Sequence, residues 1–119
     1  MGLSPQDQDE AVVILTTVGT DADARAIADG LLDLRLAACV SLVPGARSLY
    51  RWKGEKFDEA ELILLVKTRR ALAERVRDVI DRLHPYEVPE FLVLPVLSGS
   101  TPYLQWLYES TGIDREVES

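Results

Sequence analysis

Residues 48–57, Ser48-Leu49-Tyr50-Arg51-Trp52-Lys53-Gly54-Glu55-Lys56-Phe57, run on into a strand-like segment from Glu61 to Lys67, and this stretch decides the fold. Lys53-Gly54 lies between two β-prone runs, so the spacing predicts a hairpin turning near residues 53–55. Strands in compact domains usually hold about five or six residues, and these arms are roughly twice as long. Such a hairpin projects beyond the body of its own subunit. It carries Leu49, Tyr50, Trp52 and Phe57, whose apolar surface needs a cover, and self-association supplies one.

Working outward, residues 37–43 form a strand signal interrupted by Pro44-Gly45, a turn or bulge because proline cannot donate to a ladder. Upstream, residues 11–18 are a continuous apolar and β-branched run, expected for a central strand covered on both faces. Thr20 then opens a helix with Asp21 and Asp23 in its first turn and Ala24, Ile27, Ala28 and Leu31 at helical spacing. Gly30 weakens that helix by about 1 kcal/mol relative to alanine.

Downstream of the hairpin, Thr68 is expected to cap a second helix striped by Leu72, Val76, Val79, Ile80 and Leu83, with Asp78 spaced to pair with Arg82. Pro85 ends it. Residues 90–97 read as a last strand, and Pro95 within it argues for an edge or a bulge. Thr101 followed by Pro102 reads as the N-cap and first position of a short helix that brings Tyr103, Trp106 and Leu107 to one face and closes at Gly112.

The order β-α-β-β-α-β plus a terminal helix is the split βαβ pattern of α+β, ferredoxin-like folds. Right-handed crossovers then give an antiparallel sheet with the first and third strands in the middle. The expected organisation is a disordered leader over residues 1–10, one domain over 11–112 and a frayed tail over 113–119.

Composition narrows the function classes. With 119 residues, 47% of them hydrophobic and 28% charged, the chain builds one core of ordinary size. Its single cysteine, Cys39, excludes an internal disulfide framework and points to a reducing, intracellular compartment. The apolar runs at 62–66 and 91–97 are far shorter than the roughly 20 residues of a membrane span. A net charge of −7 repels phosphate backbones. The basic cluster Lys67, Arg69, Arg70, Arg75 and Arg77 is interleaved with Glu74, Asp78 and Asp81, as on a solvated helix face, so nucleic acid is not an expected partner.

Residues able to carry chemistry gather between 84 and 90. His84 at a helix end is either a metal ligand or base, or a residue stabilised by the helix dipole. Cys39 is either a thiol ligand or a core filler. Glu87 and Glu90 could act as an acid-base pair, or as solvated loop carboxylates with an N-cap role or a salt bridge to Lys67. Tyr86 and Trp106 could stack on a ligand or anchor an interface. No CxxC, HExxH, glycine-rich phosphate loop or catalytic triad is present. Where metallochaperones of this fold class carry a cysteine pair, this chain has Thr16-Thr17-Val18-Gly19-Thr20.

Together these residues resemble the CutA family of divalent-cation tolerance proteins. The likeness rests on Leu36-Ala37-Ala38-Cys39, Pro44-Gly45, Ser48-Leu49-Tyr50, Trp52-Lys53-Gly54 and Glu61. It continues through Leu65-Val66-Lys67-Thr68, His84-Pro85-Tyr86, Val88-Pro89-Glu90 and Tyr103-Leu104-Gln105-Trp106. It implies a ferredoxin-like fold similar to PII signalling proteins, in a cytoplasmic homotrimer whose long hairpins pair between subunits. It also implies a non-enzymatic role in tolerance of copper and other divalent metals. Inter-subunit clefts would lie near Lys67, His84, Tyr86, Glu90 and Trp106, with Lys67 giving charge, Tyr86 and Trp106 walls, and Glu90 with His84 polar contacts.

Copper-binding members of the family use a first-strand cysteine and paired histidines, where this chain has Thr16 and Leu83. That leaves His84 and Cys39 as the expected ligands of a weak, exchangeable Cu or Zn ion. A PII-like regulator that senses a small metabolite and acts on a protein partner is the alternative, and an enzyme using Cys39 or the Glu87/Glu90 pair is the third reading.

Overall fold

A computed structural model describes residues 9–112. The expected tail over 113–119 and the first eight residues of the expected leader lie outside the described residues. Asp9 and Glu10, also assigned to the leader, are instead anchored: Arg69 holds the Asp9 carboxylate at 2.9 Å, and Glu10 pairs with Arg70.

In order, the elements are β1 (Ala11–Val18), α1 (Asp21–Asp33), β2 (Cys39–Trp52), β3 (Glu55–Arg69), a 3-10 turn (Arg70–Leu72), α2 (Ala73–Leu83), β4 (Leu92–Pro95) and α3 (Thr101–Ser110). All strand pairs are antiparallel, in the order β2-β3-β1-β4. The two most continuously apolar strands are therefore central and the proline-bearing β4 is an edge, as the ferredoxin-like α+β reading requires.

One sheet face is covered by the helices. Ile27 and Leu31 of α1 and Val76 and Ile80 of α2 are fully buried against Val12, Ile14, Leu64 and Val66 of the central strands. Gly30 explains itself at this contact, because a Cβ there would meet the Leu83 side chain at 3.2 Å. The glycine weakens α1 but lets the end of α2 approach closely.

The hairpin is longer than expected, with arms of 14 and 15 residues. Lys53 and Gly54 both have positive φ, 51° and 82°, the backbone that a two-residue hairpin loop needs to match strand twist. The register shifts between Val43 and Ala46, so Pro44-Gly45 forms a bulge and β2 passes through it unbroken.

Three local expectations are corrected. Thr68 does not cap a helix: it pairs with Val12 inside the β1–β3 ladder, and its hydroxyl donates to the Leu36 carbonyl at 2.7 Å. The ladder extends to Arg69 and delays the helix to Ala73. The last helix is capped by Ser100, one residue before the expected Thr101, and its hydroxyl accepts from the Tyr103 N–H. The last strand is only four residues long, because β4 pairs with residues 12–15 of β1 and leaves the end of β1 to other partners.

Directly opposed residues of an antiparallel pair share a face. Val13, Leu15, Ile63, Leu65, Val43, Leu92 and Leu94 therefore lie together on the side opposite the helices. Val43, Leu92 and Leu94 are exposed there, and Leu49 is exposed at 72% farther out on the hairpin. The end of α3 reaches this side at Arg69, while Val43, Leu92 and Leu94 stay uncovered in the single chain.

Candidate functional site

At the end of β1 that β4 leaves free, the segment after α2 closes over the sheet. His84 is the C-cap of α2 and takes an extended backbone, φ −80° and ψ 133°, as a residue before proline must. Its ring is buried. Nε2 lies 2.7 Å from the Thr17 carbonyl, which can only accept, and Nδ1 accepts from the Tyr86 N–H at 3.1 Å. These two partners fix the neutral tautomer with hydrogen on Nε2. Placed so, the imidazole has no free lone pair for a metal; it is a brace between the loop and β1.

The brace sets Tyr86. Its ring tilts against His84 with centroids 4.7 Å apart, and its hydroxyl donates to Glu61 Oε2 at 2.8 Å. Gly19 permits this path, since a Cβ there would come within 3.2 Å of the Tyr86 oxygen. Four residues on, Glu90 accepts from the Thr17 hydroxyl at 3.3 Å.

Period two along β3 puts Phe57, Glu59 and Glu61 on the same side as Ile63 and Leu65. Tyr50 of β2 stacks on Phe57 with ring centroids 5.3 Å apart and donates its hydroxyl to Glu59 at 2.8 Å. Between hairpin and loop lies a cleft of about 450 Å³, walled by Tyr50, Trp52, Tyr86 and Val88 and lined by Glu59, Glu61, Glu87 and Glu90 with Thr17 and Ser48. No lysine or arginine is among the described lining residues.

Glu61 is the unusual member. It is 6% exposed, yet its described hydrogen bond comes from a neutral phenol, and no described cation lies within ion-pair distance. Carboxylates are seldom buried this deeply without a positive partner. Both tyrosines stay protonated donors: burial, then the hydrogen bond and charge of Glu61, push the Tyr86 hydroxyl well above its ordinary value. The hydrogen bond to Glu59, followed by burial, raises Tyr50.

Of the residues expected at the site, Tyr86, Glu87 and Glu90 line this cleft and His84 stands behind it. Lys67 does not pair with Glu90. It lies on the open sheet face, where its ammonium contacts Ser41 Oγ at 2.5 Å and Cys39 Sγ at 3.6 Å. Cys39 pairs with Lys67, which pairs with Val13, whereas His84 grips Thr17, four residues or about 13 Å farther along β1. His84 and Cys39 therefore do not form a shared metal site within one chain. Trp106 stands on α3 beside Tyr103.

Glu59, Glu61, Tyr50 and Trp52, with Thr17, Ser48 and Val88, are the cleft members that sequence reasoning missed. A signal existed: charge at alternate positions on a face that continues as Ile63 and Leu65. Among the described residues, no group of three or more histidine, cysteine, aspartate or glutamate side chains is arranged to hold a metal ion. No described helix is long and apolar enough to cross a membrane.

Fold and cleft together define a small ferredoxin-like protein with one open apolar sheet face and an acidic, aromatic-walled cleft beside it. A profile of the CutA1 divalent ion tolerance protein family matches residues 12–110, and the chain belongs to that family. The divalent-cation tolerance protein CutA of Thermus thermophilus is 48% identical over 100 residues, 84% of this chain and 97% of that protein. The CutA protein of Pectobacterium atrosepticum is 46% identical over 101 residues, 85% of this chain and 92% of that one. The solved T. thermophilus structure matches with a TM-score of 0.84 at 47% identity, covering 86% of this chain and 99% of the other. CutA1 from Oryza sativa matches at 0.85 and 34% identity, covering 91% and 99%.

Proposed function

We propose that this chain is a non-enzymatic protein of divalent-cation tolerance that works as a cytoplasmic homotrimer and holds a cation, weakly and exchangeably, in the Glu61 cleft. The observation that carries the reading is Glu61 itself, a carboxylate buried at 6% exposure with a phenol for a partner and an opening toward the cleft. A divalent ion such as Cu²⁺ or Zn²⁺ would be drawn, still hydrated, by the negative charge around Glu61 rather than caged by three carboxylates, and not by His84, whose nitrogens are engaged. Lys67, Cys39 and Trp106 would join the cleft only where a neighbouring chain brings them.

Self-association is supported by the uncovered apolar sheet face and by the projecting hairpin with its exposed Leu49 and Trp52. The threefold state rests on the family likeness, and the cytoplasmic assignment on the single unpaired cysteine. Sedimentation at near-neutral pH, paired with calorimetric titration of Cu²⁺ and Zn²⁺ into wild type and Glu61→Gln, tests both parts. The expected result is three chains per particle and saturable metal binding that Glu61→Gln weakens. A single-chain mass, or binding indifferent to Glu61, contradicts the proposal.

The second reading, a PII-like sensor of a small metabolite, is favoured by the aromatic walls Tyr50, Trp52 and Tyr86. Four carboxylates at the same cleft oppose a phosphorylated metabolite, so under this reading too the ligand is positively charged.

A further inference from the structure

The hairpin is two-faced. Alternation puts Tyr50, Trp52 and Glu59 on the side that looks toward the 84–90 loop of the same chain, and Leu49, Arg51 and Lys56 on the side that looks away. On that outer side Arg51 and Lys56 are directly opposed across the strands, a like-charge pair that is unfavourable by itself. Neither has an ion-pair partner among the described residues, and the neighbouring Asp58 is taken up at both oxygens by Arg47. Leu49 stands beside them, 72% exposed. The loop carries the complement. Val88, 62% exposed, lies between the exposed Glu87 and Glu90, and neither carboxylate has a described cation within ion-pair distance. An apolar centre with a charged rim is the anatomy of a protein interface, and the two rims here have opposite sign.

We propose that the outer face of the hairpin docks on the 84–90 loop of a second copy of this chain, with Leu49 against Val88 and the cations Arg51 and Lys56 against Glu87 and Glu90. Within one chain the two surfaces cannot meet, because the hairpin turns its other face to its own loop. Hairpin on hairpin would set like charges against each other. The two surfaces differ, so the contact is head-to-tail: each copy offers its hairpin to one neighbour and its loop to the next, and contacts of this kind close into rings. This rests on the self-association proposed above and names the surfaces that meet. Glu61 stays deeper in the cleft, and its reading as the seat of a cation is independent of this contact.

The test is sedimentation of the full chain across a dilution series in about 0.15 M salt, which screens long-range attraction, with enough urea to bring wild-type dissociation into range. Two charge-reversed chains, Arg51→Glu with Lys56→Glu and Glu87→Lys with Glu90→Lys, are each expected to weaken association about tenfold or more. The chain carrying all four substitutions is expected to recover most of that loss, because every contact in the ring then joins opposite charges again. Leu49→Ser changes no charge, gives a further variant should the loop substitutions disturb folding, and is expected to weaken association severalfold. Association unchanged in the hairpin variant and in Leu49→Ser, or no recovery in the fourfold variant, overturns the inference. Either result with a particle of three chains leaves the proposed function standing. A single-chain mass for wild type without urea overturns both.

Discussion

Arg69 and Glu61 lie on the same strand, eight residues apart, and are buried almost equally, at 5% and 6% exposure. Their surroundings are opposite. The Arg69 guanidinium donates to the Asp9 carboxylate, to Thr111 through both its hydroxyl and its carbonyl, and to the Tyr108 carbonyl, and it lies over the Tyr108 ring at 5.0 Å. It ties the start of β1 to the end of α3. Glu61 has a phenol. A charge buried for architecture arrives with counter-charge and acceptors in its own chain, whereas a charge buried without them is placed for something that comes from outside.

The largest effect that would sharpen this contrast is expected from Arg69→Ala. Removing the cation strands Asp9 and the carbonyls of residues 108 and 111, and a loss of about 3–5 kcal/mol is expected in urea unfolding at fixed chain concentration. His84→Ala should follow with a loss of about 1–3 kcal/mol, because the Thr17 carbonyl and Tyr86 N–H lose their partners. Metal titration of the same variant is expected to match wild type once folding is restored by lower temperature. A metal response lost with the imbidazole ring alone would make His84 a ligand and not a brace.

Thr16→Val is expected to raise stability by about 1 kcal/mol. The Thr16 hydroxyl is fully buried and has no partner among the described residues, and valine fills the same space without it. Tyr86→Phe should lower neutral-pH stability by about 1 kcal/mol through loss of the bond to Glu61. Its sharper signature is alkaline. The folded chain holds the Tyr86 proton above the ordinary tyrosine value, so that stabilisation is intact below about pH 10 and is lost as pH rises from there toward the folded value. The variant's stability should therefore fall less steeply above about pH 10, as followed by circular dichroism.

How much of this was legible in the sequence follows from how local each signal is. The hairpin, the central strands and the edge position of β4 were readable because period-two runs, Lys53-Gly54 and Pro95 carry their meaning within a few residues. Tyr86 and Glu90 were readable because prolines stiffen their loop. Thr68 and Thr101 misled, since a threonine before a helical stripe looks like a cap whether or not a ladder claims it. Glu61 was hidden for the opposite reason. Next to Asp58 and Glu59 it reads as solvated charge, and only the fold that lays the 84–90 loop over β3 buries it. Lys67, Cys39 and Trp106 carry suitable chemistry, but the topology of one chain sets them apart from the cleft.

The smallest expected change in the free protein is also the most decisive. Urea unfolding of wild type and Glu61→Gln should be compared at one chain concentration, each with and without added Zn²⁺. If Glu61 awaits an external cation, the glutamine variant unfolds within about 0.5 kcal/mol of wild type or later when no cation is added, and only wild type gains stability from the cation. A loss of several kcal/mol in cation-free Glu61→Gln, like that expected at Arg69, would mean that the carboxylate is satisfied within the protein and would contradict the account.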